Sequence, residues 1–184
     1  MFDFKEGEVF LIDKPLDWTS FDVVNFIRSL IRRFHGIARL KVGHAGTLDP
    51  LATGLLIICT GKKTKQIDTF QMQTKTYTGT ILLGQTTPTF DLESEPDGFF
   101  PTDAITPEQM EAARLQFVGD IKQYPPKYSA IKIKGKRAFD YARSDEEIEL
   151  KARDVTIEAF NISTDRFPEI DFEVRCSKGT YIRS

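Results

Sequence analysis

Residues 43–56 read GHAGTLDPLATGLL. In this stretch Asp49 is the one ionisable acid and His44 is one of the chain's two histidines, among residues that are otherwise apolar, small or hydroxylic. A carboxylate in such company has few acids nearby with which to share a proton. It suits a nucleophile or an electrostatic stabiliser better than half of an acid/base pair. Glycines without Cβ let the backbone approach a ligand and take positive φ, while Pro50 restricts its own φ and turns Asp49 toward extended geometry. The spacing predicts a stiff loop that presents Asp49, with the flat ring of His44 five residues earlier. Taken alone, an Asp-Pro pair also reads as a turn cap and a single histidine as a structural one, so the rest of the chain has to decide.

On either side of this loop the pattern is that of a mixed domain. The apolar run 9–12 reads as a strand leading into Lys14-Pro15, and residues 55–59 read as a second. Thr19 with Asp22 three positions on forms a capping-box pattern. Val23, Ile27, Leu30, Ile31 and Phe34 follow at helical spacing, giving an amphipathic helix with a basic outer face. Residues 62–71 predict a short helix and 76–83 a strand rich in β-branched and aromatic residues. The acidic, proline-containing stretch 87–103 reads as a surface loop, and Thr106-Pro107 with Gln109 opens another helix. Residues 127–133 predict a strand turned by Lys134-Gly135-Lys136, and 138–143 a further helix. Ile170, Phe172, Val174 and Cys176 alternate with charged residues, the period of a half-buried strand. Together these predict one α+β domain with a mixed, mainly antiparallel sheet flanked by helices.

Composition bounds the chemistry. At 184 residues and 40% hydrophobic content the chain can bury a sizeable core. Cys59 and Cys176 lie far apart, with no C-x-x-C pair and no histidine close to either, which argues against a disulfide scaffold or a zinc site. No apolar run has the length of a membrane span, and the first ten residues lack the basic and apolar regions of a secretory signal, so a cytoplasmic location is expected. The formal charge of −2 argues weakly against a nucleic-acid partner, but the average conceals segregation. Residues 23–48 hold Arg28, Arg32, Arg33, Arg39, Lys41 and both histidines without an acid. Residues 122–143 hold seven bases against Asp140 alone, whereas 89–113 hold seven acids and no base. A polyanion needs only a local positive face.

Several motifs then point the same way. Besides GHAGTLDPLATGLL there are LIDKP with Thr19-Ser20, KTYTGTILLG around Tyr77, PPKYSAIKIKGKRAFDYAR from Pro125 and SKGTYIRS at the end, which together span nearly the whole chain. They closely resemble motifs of the bacterial tRNA pseudouridine synthases of the TruB family, enzymes that isomerise a uridine in the T loop, position 55 of tRNA. The resemblance implies the pseudouridine synthase catalytic fold. It also implies Asp49 as the catalytic aspartate, Tyr77 as the active-site tyrosine and Arg183 as the arginine that pairs with the aspartate. His44 matches the histidine associated with extruding the target base, and Tyr181 falls on a substrate-contacting position.

The chemistry of those residue types agrees. Breaking the uridine N1 to C1′ bond and remaking it through C5 is an isomerisation, so no cofactor or metal is expected. It needs an ionised carboxylate in a site dry enough to hold a base, and Arg183 would supply the counter-charge. A phenol is a poor base at neutral pH, so stacking is favoured over proton transfer for Tyr77. A base inside a folded loop reaches a carboxylate only when flipped, at a cost of a few kcal/mol. Stacking on an aromatic returns roughly 1 to 3 kcal/mol. Phosphate contacts are expected from the basic helix and from Lys132 and Lys136. The expected partner is the T-arm stem-loop of tRNA, with the protein a monomer, off the membrane and free of metal.

Two positions depart from the family pattern. Asp17 stands two residues after the KP pair, where the family has glycine, and aspartate is among the less costly residues there if φ is positive. Where the family has T-D-T-x-D and a nearby glycine, this chain reads Thr87-Pro88-Thr89-Phe90-Asp91 with Ser94 in the glycine position. Family members continue past the YIR motif into a helix, a pocket-lining leucine and often a PUA-type RNA-binding domain. Residues 1–184 are therefore expected to be an incomplete catalytic domain, truncated at its C-terminal side. Three rivals differ in class. A retaining glycosidase would need a second carboxylate about 5 Å away, which no motif nominates. A guide-RNA-dependent pseudouridine synthase subunit shares the GH-x-G-x-LDP core but not the continuation PLATG. An RNA-binding module, inactive because of truncation, would bind without converting uridine.

Overall fold

The computed structural model describes residues 2–126, 129, 132–133, 136–137, 141 and 150–183. The chain divides into two compact units, Met1–Gln73 and Thr74–Ser184.

In the first unit β1 (Val9–Lys14) leads through a turn into α1 (Ser20–His35), followed by β2 (Val42–His44) and β3 (Gly54–Thr60). A 3-10 turn (Gly61–Gln66) and α2 (Ile67–Gln71) complete it. The capping box forms as its spacing predicts. Thr19 Oγ1 accepts the Asp22 amide at 3.1 Å and Asp22 Oδ2 accepts the Thr19 amide at 2.9 Å, satisfying two donors the helix leaves unpaired. At the other end Gly36 takes φ 67 and returns its N–H to Arg32. Strand β3 is the centre of an antiparallel sheet ordered β1-β3-β2. Its buried Leu56 and Ile58 meet Val23 and Val24 of α1, with Phe10, Ile12, Ile27 and Val42 around them. The register sets Lys14, at the end of β1, opposite Gly54, where the Asp49 loop rejoins the sheet.

The second unit is built on an antiparallel sheet ordered β4-β11-β10-β7. Its strands are β4 (Lys75–Leu82), β7 (Gly119–Gln123), β10 (Arg153–Arg166) and β11 (Glu169–Cys176). Two short ribbons pair β5 (Gln85–Thr86) with β6 (Gly98–Phe99), and β8 (Lys132–Ile133) with β9 (Lys136–Arg137). Ile157, Val174 and Cys176 form the core, and Tyr77, Ile121, Phe160, Phe172 and Ile182 pack on it. Phe172 lies across β4 at Gly79, where a Cβ would come within 2.7 Å of its ring. Helix α3 (Pro107–Leu115) carries the second capping box, Thr106 with Gln109. None of its residues is buried; Arg114 holds it by donating to the Phe160 carbonyl at 2.5 Å and is itself oriented by Glu111 of the same helix at 2.6 Å.

The α+β class stands, and every strand pair among the described residues is antiparallel. Strands β2, β7 and β10 go beyond what the sequence pattern predicts. In β10 the inward positions run Val155 and Ile157, then Phe160 and Ile162, because a register shift between Ile157 and Ala159 moves the pattern by one residue. A bulge erases the period of two by which a strand is recognised. The helix expected at 138–143 lies outside the described residues apart from Tyr141, as does most of the strand expected at 127–133.

Candidate active site

In the first unit the Asp49 loop is fastened on both sides of the carboxylate. The Ser20 hydroxyl, buried at the start of α1, accepts the Leu48 amide at 2.9 Å and lies 3.1 Å from the Leu48 carbonyl, to which it donates. On the far side the Pro50 carbonyl accepts from the Asp17 amide at 3.0 Å and from Lys14 Nζ at 3.2 Å. Asp17 takes φ 64, the left-handed conformation, so the aspartate sits where its glycine-like position demands. The loop closes on itself through Ala52 N–H to Asp49 O at 3.0 Å, and Ala45 N–H to Ile57 O at 2.8 Å ties its start to β3. Gly46 takes φ 111, and a Cβ on Gly43 would come within 2.8 Å of Ile67 Cδ1. Gly46 thus answers a backbone requirement, whereas Gly43 leaves room for the end of the Ile67 side chain.

Lys14 is fully buried and donates to three carbonyls, Pro15 at 2.8 Å, Trp18 at 2.5 Å and Pro50 at 3.2 Å. Burial pushes its ammonium below the ordinary lysine range, and the nearby carboxylates of Asp17, Asp49 and Asp22 pull it partly back. A buried cation thus lies in the field of Asp49. The LIDKP motif contains Lys14, but nothing in the motif itself assigns the lysine this part. Asp49 is half-buried, and His44, the last residue of β2, hydrogen-bonds through Nδ1 to the Gly46 carbonyl. A carbonyl can only accept, so Nδ1 donates in this contact.

In the second unit Tyr77 pairs in register with Val174 and packs half-buried on the Ile157 cluster, which also receives Ile182. The strand bearing Tyr77 and the segment bearing Arg183 therefore share one apolar support. Arg183 donates from Nη1 to Asp91 Oδ2 at 2.9 Å and to the Thr89 carbonyl at 3.3 Å, with the two side chains 14% and 17% exposed. Asp91 is presented by a self-bonded loop. Thr87 Oγ1 donates to the Asp91 carbonyl at 2.8 Å, and the Thr89 and Ser94 hydroxyls meet at 2.7 Å. Ser94, the replacement for the family's glycine, thus supplies a hydrogen bond. In the sequence Asp91 stands within the departing pattern, with no signal that pairs it to Arg183.

Tyr181 is held by its backbone, its N–H donating to Gln123 Oε1 at 2.8 Å and its carbonyl accepting from Gln123 Nε2 at 2.7 Å. Lys132 lies on β8, paired in register with Arg137. The predicted residues are thus distributed as His44 and Asp49 in the first unit, and Tyr77, Tyr181, Arg183 and Lys132 in the second. Cys59 and Cys176 are free and buried, and burial pushes both thiols up, which disfavours the reactive thiolate.

Known proteins resemble this chain over nearly its whole length. The tRNA pseudouridine synthase B of Phocaeicola vulgatus is 57% identical over 182 residues, covering 99% of this chain and 77% of that protein. That of Parabacteroides distasonis is 52% identical over the same shares, and that of Chloroherpeton thalassium 48% identical, over 97% of this chain and 74% of that protein. Among solved structures, a chain of a Cbf5-Nop10-Gar1 complex superposes with a TM-score of 0.67 at 24% identity, covering 98% of this chain and 42% of that one. A chain of an H/ACA RNP bound to a substrate RNA containing 2′-deoxyuridine gives 0.63 at 21%, covering 98% and 41%. At these identities the likeness is one of fold. Residues 32–182 match the family described as TruB family pseudouridylate synthase (N terminal domain), and the chain belongs to it.

Proposed function

We propose that this chain is a tRNA pseudouridine synthase that isomerises the T-loop uridine at position 55, with Asp49 as its nucleophile. The observation that carries the reading is the Asp49 loop, a half-buried carboxylate whose neighbours on both sides are fastened by buried polar side chains. Holding a reacting group in place ahead of time converts binding into rate, because the ordering entropy is met during folding. The carboxylate adds either to C1′ as uracil departs or to C6 of the ring. In both routes the N1 to C1′ bond breaks, the base turns, C5 bonds to C1′, the bond to the carboxylate is broken again to free Asp49, and the proton lost from C5 is balanced by one gained at N1. No electron or group leaves the substrate, so the reaction calls for no cofactor or metal.

Arg183 serves as the counter-charge of the aspartate, and Asp91 orients its guanidinium. Tyr77 stacks on the flipped base, His44 takes the space the base leaves, and Tyr181 contacts the substrate. Lys132 and the basic outer face of α1 meet phosphates. The protein works as a monomer in the cytoplasm on the T arm of tRNA.

Asp49→Asn keeps the shape and removes the charge. With a T-arm stem-loop transcript labelled with tritium at uridine C5 and no guide RNA, conversion read as tritium released falls by roughly a thousandfold or more, while affinity stays within about threefold. Equal turnover by the variant would remove Asp49 from the chemistry, and conversion that depends on an added guide RNA would assign the chain to the guided subunits instead.

A further inference from the structure

We infer that Gln123 is a positioning residue for the reaction, setting the place of Tyr181 and Arg183 through a reciprocal amide clip. The inference rests on the functional reading above, in which those two residues serve catalysis. Gln123 ends β7, the edge strand of the second unit's sheet, where it pairs with Arg153 of β10 on one side. Its side chain gives Tyr181 the two hydrogen bonds a neighbouring strand would give. Oε1 accepts the Tyr181 N–H at 2.8 Å and Nε2 donates to the Tyr181 carbonyl at 2.7 Å.

The path of the chain explains why such a clip is needed. After Cys176 the backbone leaves β11, crosses β10 by way of Ser177, and arrives at β7. Ser177 donates its N–H to the Thr156 carbonyl at 2.9 Å and accepts the Thr156 N–H on Oγ at 2.9 Å. A turn then follows, closed by Thr180 Oγ1 on the Ser177 carbonyl at 3.0 Å, with Gly179 at φ 81. Beyond it the segment has no strand of its own. Ile182 is held by the core, but an apolar contact is non-directional and does not set register along the chain. The paired amide does set it, because both hydrogen bonds form only at one residue. Arg183 is then delivered two residues on, where Asp91 and Thr89 receive it.

The side-chain amide is also the one chemistry that fits. Asparagine is a methylene too short to reach both groups, and glutamate can accept from the Tyr181 N–H but opposes its carbonyl oxygen. Gln123→Glu therefore keeps the shape of the side chain while breaking half of the clip.

The experiment uses the whole chain and a T-arm transcript, with Gln123→Glu and Gln123→Ala each made alone and Gln123→Ala also made on Arg183→Lys. Both single variants lower kcat by roughly ten- to a hundredfold with KM within about threefold, the scale expected when reacting groups are misplaced by about an ångström. The double variant is slower than Arg183→Lys by no more than about threefold, because Gln123 acts through the arginine already altered. In Gln123→Glu, lowering the pH protonates the introduced carboxylate and restores a donor, so the rate of this variant relative to wild type rises as pH falls from about 6 to about 4. The Tyr181 amide, slow to exchange in the wild type, exchanges at least about tenfold faster in Gln123→Ala while the Ile157 amide does not change.

Unchanged kcat in both single variants of an active protein overturns the inference, as do fully multiplicative effects in the double variant. An unprotected Tyr181 amide in the wild type does the same. A wild type without turnover overturns the functional reading itself, and the catalytic role of the clip with it.

Discussion

At the scale of single residues, the site depends on small polar side chains that touch backbone. Ser20 makes two contacts to the residue before Asp49 from a buried position. Ser20→Ala removes the hydroxyl and leaves the Leu48 N–H and carbonyl to find other partners. Stranding a buried backbone group costs about 1–3 kcal/mol. The same change lets the nucleophile loop drift, so turnover falls while RNA affinity holds. Denaturant melts and single-turnover rates measure the two effects. A variant that loses stability yet converts uridine at the wild-type rate would show that the Leu48 tether serves folding alone.

At the scale of elements, the β10–β11 hairpin carries an exposed ion-pair knot beside its turn. Arg166 grips Asp171 with Nη2 at 2.5 Å and Nε at 3.0 Å, Thr80 of β4 donates to the same carboxylate at 2.7 Å, and Glu169 also pairs with Arg166. The Arg166 hydrogen bonds, and then that of Thr80, hold the Asp171 carboxyl below the usual carboxylate range. A depressed folded pKa means that the unfolded chain takes up the proton first as pH falls. The stabilisation is whole above the unfolded pKa and drains away as pH drops through the folded one. The melting-temperature difference between wild type and Asp171→Asn is therefore constant from about pH 8 to pH 5 and closes below about pH 4. A difference that persists unaltered to the lowest pH at which the protein folds would place the stabilisation elsewhere. Exposed pairs contribute little individually, so the difference is small throughout.

At the scale of the molecule, each unit owns a core. Leu56, 1% exposed, belongs to the cluster of the first unit, and Val174 to that of the second. Leu56→Ala leaves a cavity between β3 and α1 that costs about 2–5 kcal/mol. Because the lost contacts are local to one core, amide exchange accelerates in β1 and β3 and stays slow in β10 and β11. Equal acceleration in all four strands would show that the units open as one.

What the sequence determined alone is what short-range physics encodes. Two capping boxes, the β1, β3, β4 and β11 strands and the α1 stripe were legible because each is a periodicity or a hydrogen bond between residues three or four apart. Asp49, Tyr77 and Arg183 were legible as motif positions. Strand β10 was not, since its bulge moves the apolar pattern from odd to even positions halfway along. Nor were the residues that hold the site. Lys14 reaches Pro50 across 36 positions, Ser20 reaches Leu48 across 28, Gln123 reaches Tyr181 across 58, and Asp91 reaches Arg183 across 92. A lone lysine, serine, glutamine or aspartate carries no local signal of its partner. The partner is chosen when the strands take their register and buried polar groups must be satisfied by whatever that register brings near.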